Sequence, residues 1–382
     1  MISFRHSFAF ALLAGCITLL APLQAAVPIP KPPGVDARGY ILIDHASGRM
    51  LAGLKQDERM EPASITKLMT AYAVFKAIAE KRLALDEPIT ISERAWKSEG
   101  SRTFVQVGTQ VPAEVLIKGM IVQSGNDATV ALAERVGGTE EAFAQLMNEY
   151  AKRLGMKDSN FTNSTGMPDP NLYTTARDIA TLSRAMIREF PQFYRWYSLR
   201  EFVWNNIRQQ NRNGLLGRDP SVDGIKTGHT DSAGYCLVTS ANRSNMRLIS
   251  VVFGSTSMKA REDASAALLN YGYTFYETVK LKSAGETIST PRVYKGAVDA
   301  IAVAPARDVL VTLGRGAAGN LRTSATLREP LVAPLAANAQ VGELAVTDGN
   351  DVIARIPLYP ANAVPAGGLW ARMTDSVALW FR

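Results

Sequence analysis

A chain of 382 residues with 47% hydrophobic and 20% charged side chains is long enough to bury a large core and to divide into two domains, and it is neither disordered nor collagen-like. The formal charge is +7, but the basic residues are scattered among acids with no Lys/Arg cluster interleaved with aromatics, which argues against nucleic acid and leaves a basic soluble surface or attraction to an anionic lipid or polymer. With only two cysteines, Cys16 and Cys236, the chain is not a disulfide scaffold.

Arg5 and His6 precede an apolar run over 8–20, and the small residues of Leu23-Gln24-Ala25-Ala26 follow. This order reads as a secretory signal peptide over 1–25, with an apolar stretch short for a permanent span. Leu13-Ala14-Gly15-Cys16 offers a competing lipobox reading that would place a lipid on Cys16, but the apolar run continues past that cysteine. Cys236, beside Tyr235, Leu237 and Val238, reads as a buried strand thiol and not as a nucleophile. Four prolines over 28–33 make a stiff leader. Residues 40–44 read as a strand, Ala46-Ser47-Gly48 as a turn and 50–54 as a returning partner. Pro62-Ala63-Ser64 opens a helix running through Tyr72 and Phe75.

Two more helices are expected either side of Ser124-Gly125-Asn126, over 112–122 and from 127 to Gly137-Gly138. Thr175-Ala176-Arg177-Asp178 resembles a capping box for a further helix ending before Pro191. Then come a strand over 222–228, a hairpin of 235–240 and 247–253 across residues 241–245, and a helix over 261–276. Helices between early and late strands suggest one mixed α+β domain, 26–279, whose antiparallel sheet is closed by both ends of the segment. Over 280–362 only short alternating apolar runs with turn signals occur, which reads as a small all-β domain. In the tail, 363–382, Trp370, Met373, Val377, Trp380 and Phe381 recur at helical spacing. That is too short to span a bilayer, which requires roughly 20 apolar residues; it suits an amphipathic helix lying in a membrane interface, the other reading being a helix docked on the β domain.

Hydrolytic chemistry needs a nucleophile, a base and a means of holding developing negative charge. Once His6 leaves with the signal, His45 and His229 are the remaining histidines, and there is no Gly-x-Ser-x-Gly elbow. A histidine triad and a zinc site are both poorly supplied, so no metal or cofactor is expected. Ser64-Ile65-Thr66-Lys67 is better placed: residues three apart share a helix face, so Lys67 reaches the Ser64 hydroxyl. A neutral amine activates a serine, but a lysine of ordinary pKa near 10.4 must be shifted down, at about 1.4 kcal/mol per unit. Burial and a second cation do this. Alone the spacing is a weak signal. Ser124-Gly125-Asn126, between two helices, places a hydroxyl and an amide where they reach a cleft: Ser124 to relay a proton, Asn126 to bind a substrate amide and hold Lys67. Lys226-Thr227-Gly228 lies on a strand whose edge suits an extended peptide. Lys226 supplies the second cation, Thr227 a hydrogen bond to a carboxylate, and Gly228 room for close approach of substrate. Ser240-Ala241-Asn242 repeats the second pattern but is placed in the hairpin turn and set aside.

The three motifs in this order resemble the penicillin-recognising serine enzymes. Asn211-Arg212-Asn213-Gly214-Leu215-Leu216, residues 222–230 with His229 after the third motif, and the layout of signal, catalytic domain, β domain and amphipathic tail resemble the low-molecular-mass D-alanyl-D-alanine carboxypeptidases. The resemblance implies a β-lactamase/transpeptidase-like catalytic fold and an exported enzyme, periplasmic and peripherally attached to the inner membrane through its tail. It implies removal of the terminal D-alanine of peptidoglycan pentapeptides through an acyl-enzyme on Ser64, with β-lactams as covalent inhibitors. Lys67 would take the proton of Ser64, Ser124 and Lys226 would pass one to the departing D-alanine, and the backbone N–H groups of Ser64 and His229 would form the oxyanion hole. Arg212 and Arg261 would surround the terminal carboxylate, although Lys259-Ala260-Arg261-Glu262 also reads as a helix surface. Leu216-Gly217-Arg218 lacks the bulky aromatic the family places after the two leucines, and there is no Glu-x-x-Leu-Asn between the second and third motifs. A DD-endopeptidase, a β-lactamase and a non-enzymatic scaffold binding cell-wall peptide are the alternatives.

Overall fold

Residues 28–381 are described by a computed structural model, so the readings of a signal peptide and of a lipid-bearing Cys16 lie outside the described residues. Gly39–Asp44 (β1) and Met50–Leu54 (β2) form an antiparallel pair with Tyr40 opposite Leu54. Val222–Thr230 (β3), Gly234–Arg243 (β4) and Met246–Ser255 (β5) complete an antiparallel sheet in the order β2-β1-β5-β4-β3. Both ends of the segment meet at its centre, where Gly39 faces Phe253 and Asp44 faces Leu248. Successive side chains on a strand point to opposite faces. Tyr40 and Leu42 accordingly enter one core with Leu248, Leu268 and Leu269, while Ile41 and Ile43 enter a larger one with Leu68, Phe75 and Leu116. Burial on both faces is why 40–43 is a continuous apolar run without alternation. Cys236 sits inside the sheet, fully buried.

The larger core is built from Lys67–Ala79 (α1), Ala113–Val122 (α2), Asn126–Gly137 (α3), Glu140–Leu154 (α4) and Ala176–Glu189 (α5). The opposite face is covered by Met258–Phe275 (α6). α1 is buried almost all round, as a helix at the centre of a domain must be.

Three local readings change. The chain around Ser64 is not yet α-helical: Ala63–Thr66 is one 3-10 turn, and α1 begins at Lys67. Thr175 caps α5 by accepting from the Asp178 N–H at 3.1 Å, but the Asp178 carboxylate turns away to Ser159 Oγ (2.7 Å) and the Asp158 N–H (2.9 Å), so the reciprocal half of the box is not made. The hairpin turn is only Ser244-Asn245, both at positive φ (48° and 64°), the geometry that matches strand twist in a two-residue turn. Ser240-Ala241-Asn242 therefore lies within β4, where Ser240 and Ala241 are fully buried.

Tyr276–Lys282 (β6) runs directly out of α6, across the division expected at 280. With Val303–Pro305 (β7), Val309–Gly314 (β8), Leu321–Leu327 (β9), Gly342–Asp348 (β10) and Asp351–Pro360 (β11) it surrounds a separate core of Val303, Val309, Leu313, Val346 and Leu358. β6 pairs with β8, and β7-β11-β10-β9 form a four-stranded sheet. This β unit is tied to the first sheet by Thr278 Oγ1 donating to Asp44 (3.0 Å) and Arg49 donating to the Thr312 carbonyl (2.6 Å). Leu369–Trp380 (α7) follows. Its Asp375 is buried and accepts from Arg292 (2.9 Å) and from the Lys295 N–H, which docks one face. The other face leaves Leu369, Trp370, Met373, Val377 and Trp380 exposed, Trp370 at 80% and Trp380 at 85%. No helix among the described residues is long and apolar enough to cross a membrane.

Candidate active site

The 3-10 turn bearing Ser64 lies against β3, the edge strand that holds Lys226-Thr227-Gly228. Gly228 permits the contact. A Cβ there would sit 3.0 Å from the Pro62 carbonyl and 3.2 Å from the Ile65 nitrogen. The sequence assigns that space to substrate; the structure gives it to the Ser64 turn. Gly166 is a second close approach, with φ +82° and a hypothetical Cβ 1.8 Å from the Ala63 carbonyl, a place only glycine occupies.

Lys67 Nζ donates to Ser64 Oγ at 3.0 Å and to the Thr165 carbonyl at 2.6 Å, on a side chain only 1% exposed. The 163–166 loop that supplies this carbonyl is pinned. Thr70 Oγ1 donates to the Ser164 carbonyl (2.6 Å), Ser164 Oγ donates to Glu140 (2.6 Å), and Asn163 Oδ1 accepts from the Gly166 N–H (2.7 Å). Among the described residues Lys67 has no carboxylate partner within ion-pair distance. Burial first, and then the charge of Arg212, bring its pKa down to about 7 against the opposing pull of Asp127 and Glu140. The sequence points to Lys226 as the second cation; in the structure Lys226 and Lys67 repel one another, and Arg212 adds its charge to the effect on Lys67. Lys226 is itself 3% exposed, donates to the Thr227 carbonyl at 3.0 Å, and is held well below the usual lysine range by burial, then by Lys67, Arg212 and Arg261.

Ser124 stands between α2 and α3 at φ 64°, 2% exposed, and its Oγ has no partner in the protein. A non-glycine residue at positive φ with an unpaired buried hydroxyl is a strained, unsatisfied position of the sort found at functional sites. Asn126 does not hold Lys67. Its Nδ2 donates to the Glu99 carbonyl at 2.5 Å, and its Oδ1 is left unpaired. Beside it the buried Asp127 carboxylate accepts from the N–H groups of Thr103 (2.7 Å), Phe104 (2.8 Å) and Ala128 (2.8 Å). This fixes the loop whose Gly100 and Ser101 form one wall of the site.

A cleft of about 550 Å³ joins these parts, lined by Ser64, Ser124, Thr227, Gly228, His229, Arg212 and Arg261 together with Gly100, Ser101, Tyr235 and Met258. Lys67, Lys226 and Asn126 lie buried around it. His229 is exposed and stacks on Tyr235 at 4.1 Å between ring centroids. Arg261 is not a helix-surface residue: it is 3% exposed and donates to the Gly228 carbonyl at 3.1 Å, with its Nε unpaired. Sequence reasoning missed Thr165 and Glu140, which hold the lysine environment from 98 residues and 73 residues away with no local signature. It also missed Asp127, whose signal was present as an acid in the first turn of α3 directly after the second motif.

Two buried amines and a hydroxyl beside the edge of an antiparallel sheet are the arrangement of the penicillin-recognising serine hydrolases. Residues 26–257 match the family model of D-alanyl-D-alanine carboxypeptidases, and residues 276–366 match that of the penicillin-binding protein 5 C-terminal domain. The D-alanyl-D-alanine carboxypeptidase DacA of Escherichia coli (strain K12) is 40% identical over 94% of this chain and 91% of its own length. Crystal structures of penicillin binding protein 5 from Haemophilus influenzae share the fold with a TM-score of 0.82 and 41% identity, over 88% of this chain and 99% of theirs. Penicillin-binding protein D2 from Listeria monocytogenes, in its cefotaxime-bound form, matches with a TM-score of 0.59 and 27% identity over 64% of this chain and all of its own. The chain belongs to the D-alanyl-D-alanine carboxypeptidase family of serine peptidases, the family its motifs resemble, and its α+β catalytic fold with a C-terminal all-β unit agrees with the solved structures.

Proposed function

We propose that this enzyme removes the terminal D-alanine of peptidoglycan stem pentapeptides through an acyl-enzyme on Ser64. The observation that carries this is the 3.0 Å contact between Ser64 Oγ and a Lys67 amine whose pKa burial has brought to about 7. Neutral Lys67 takes the hydroxyl proton as Ser64 Oγ attacks the carbonyl between the two D-alanines. The carbonyl oxygen gains negative charge and is met by the backbone N–H groups of Ser64 and His229. The C–N bond then breaks, and Ser124, whose Oγ is unpaired and faces the cleft, passes a proton to the departing amine in concert with Lys226. Water releases the acyl chain by the same route in reverse. Thr227, Arg212 and Arg261 take the terminal carboxylate, Gly228 shapes the strand edge, and Asn126 offers its unpaired Oδ1 to a substrate amide.

β-Lactams acylate the same serine. Residues 1–25 are the export signal, the catalytic domain runs from 26 to the end of α6, and the β domain runs from β6 to 362. Helix α7, within 363–382, attaches the periplasmic enzyme to the outer face of the inner membrane through the exposed stripe of Leu369, Trp370, Met373, Val377 and Trp380. Mass spectrometry of a pentapeptide digest tests the reading: loss of one D-alanine is expected, whereas intact pentapeptide together with hydrolysed penicillin would indicate a β-lactamase. Cleavage of crosslinked dimers without D-alanine release would indicate an endopeptidase.

A further inference from the structure

We propose that the cleft between the catalytic domain and the β unit binds a small, multiply charged oxyanion, a phosphate ester or a polycarboxylate, through Arg49, Arg184, Arg188, Arg307 and Arg355. The cleft measures about 680 Å³ and is lined by these five arginines from both sides. Arg49 follows β1, Arg184 and Arg188 lie one turn apart on α5, Arg307 precedes β8, and Arg355 stands on β11.

Their positive charge is poorly compensated. The one carboxylate lining the cleft, Asp308, is occupied by Lys280 at 2.7 Å. Asp44, hydrogen-bonded by Ser47 and Thr278, offsets part of the charge of Arg184, which leaves the other arginines of the cleft in excess. Arg49 and Arg184 donate to backbone carbonyls, of Thr312 (2.6 Å) and His45 (2.9 Å), which leaves their charge in place. Arg188 and Arg355 each pair with a carboxylate, Glu189 at 2.9 Å and Glu343 at 2.6 Å. Both arginines are more than half exposed, and exposed pairs of this kind exchange readily. Glu189 is shared with Lys76. Arg307 makes no ion pair among the described residues. His45, the remaining titratable group on the lining, is neutral at neutral pH: burial, then Arg247 and Arg184, lower its pKa to about 4. Like charges gathered in a concave site repel one another and concentrate anions. The guanidinium fork matches phosphate and carboxylate oxygens two at a time. Leu310, Val311 and Ile353 complete the lining between the arginines. An anion held by arginines of both units would also clamp one unit to the other. None of these residues lines the Ser64 cleft.

The test is isothermal titration of the full chain with sodium pyrophosphate and with citrate, at one fixed ionic strength. Saturable single-site binding of at least one of them is expected. The double variant Arg307→Gln, Arg355→Gln should weaken it at least about tenfold, with an unchanged circular dichroism spectrum and unchanged D-alanine release. Pyrophosphate alone would identify a phosphate-ester site, citrate alone a polycarboxylate site, and both together a site reading charge. Absence of saturable binding by either anion, or equal affinity in the folded double variant, would overturn the proposal.

Discussion

Replacing Lys67 by Met tests whether burial makes the lysine a base. At pH 7 an amine with a pKa of 10.5 is neutral in about one molecule in 3,000. Brought to about 7 by burial, it is neutral in about half of them, a gain of about 1,600-fold in usable base. Holding the native pKa three and a half units below its unfolded value corresponds to about 5 kcal/mol. The sign follows from proton counts. Between pH 7 and 10.5 the unfolded chain binds more protons at this position than the native one, so the contribution of Lys67 to stability rises with pH through that window and is lowest below it. In an acylation assay with a fluorescent penicillin, from about pH 5.5 to 9, the second-order rate of the wild type should rise with a midpoint near 7 and then level. Lys67→Met should be slower by about 10²–10⁴-fold, the usual contribution of a positioned base, and should lose that limb. It should remain folded, because an apolar chain of similar length fills the buried space. A flat wild-type profile across this range, or a Met variant within tenfold of wild type, would refute the reasoning.

Asp127→Ala should strand the buried N–H groups of Thr103 and Ala128 and the part-buried N–H of Phe104. At about 1–3 kcal/mol for each orphaned donor, a loss of about 3 kcal/mol or more is expected, seen as a thermal midpoint lower by several degrees, with a raised KM as the cleft wall loosens. Arg261→Gln should raise KM for a peptide ending in free D-alanine by about tenfold or more and narrow its advantage over the C-terminal amide; an unchanged preference would place the carboxylate elsewhere. Trp370→Ala with Trp380→Ala should abolish co-sedimentation with anionic vesicles while leaving hydrolysis of a soluble peptide intact, since both rings are exposed and far along the chain from the catalytic motifs. Retained vesicle binding would remove α7 from the membrane account.

The sequence made the strands, helices and catalytic motifs legible where chemistry repeats locally. The run at 40–44 announced a strand, whose burial on both faces the structure adds, and Ser64 and Lys67 announced their contact through helical spacing, although the turn joining them is 3-10. Asn126 shows where that approach stops. Its type and place suggested a hold on Lys67, yet its amide turns to Glu99, and the lysine is held by Thr165 through a backbone carbonyl. Any residue offers a carbonyl, so nothing at position 165 marks it in the sequence. The part of Arg212 in lowering Lys67 was equally hidden, because only the fold brings positions 67 and 212 together. Gly228 was read as substrate space because a strand glycine signals close approach; what approaches is the chain's own Pro62–Ile65 backbone.

The most direct measurement is rapid acid quenching during turnover of a peptide substrate ending in D-alanyl-D-alanine, followed by peptide mapping of the protein. An acyl mass increment on the peptide containing Ser64, lost in Ser64→Ala, is the predicted result. D-alanine release with no trapped adduct in the wild type, or an adduct on another residue, would contradict the account.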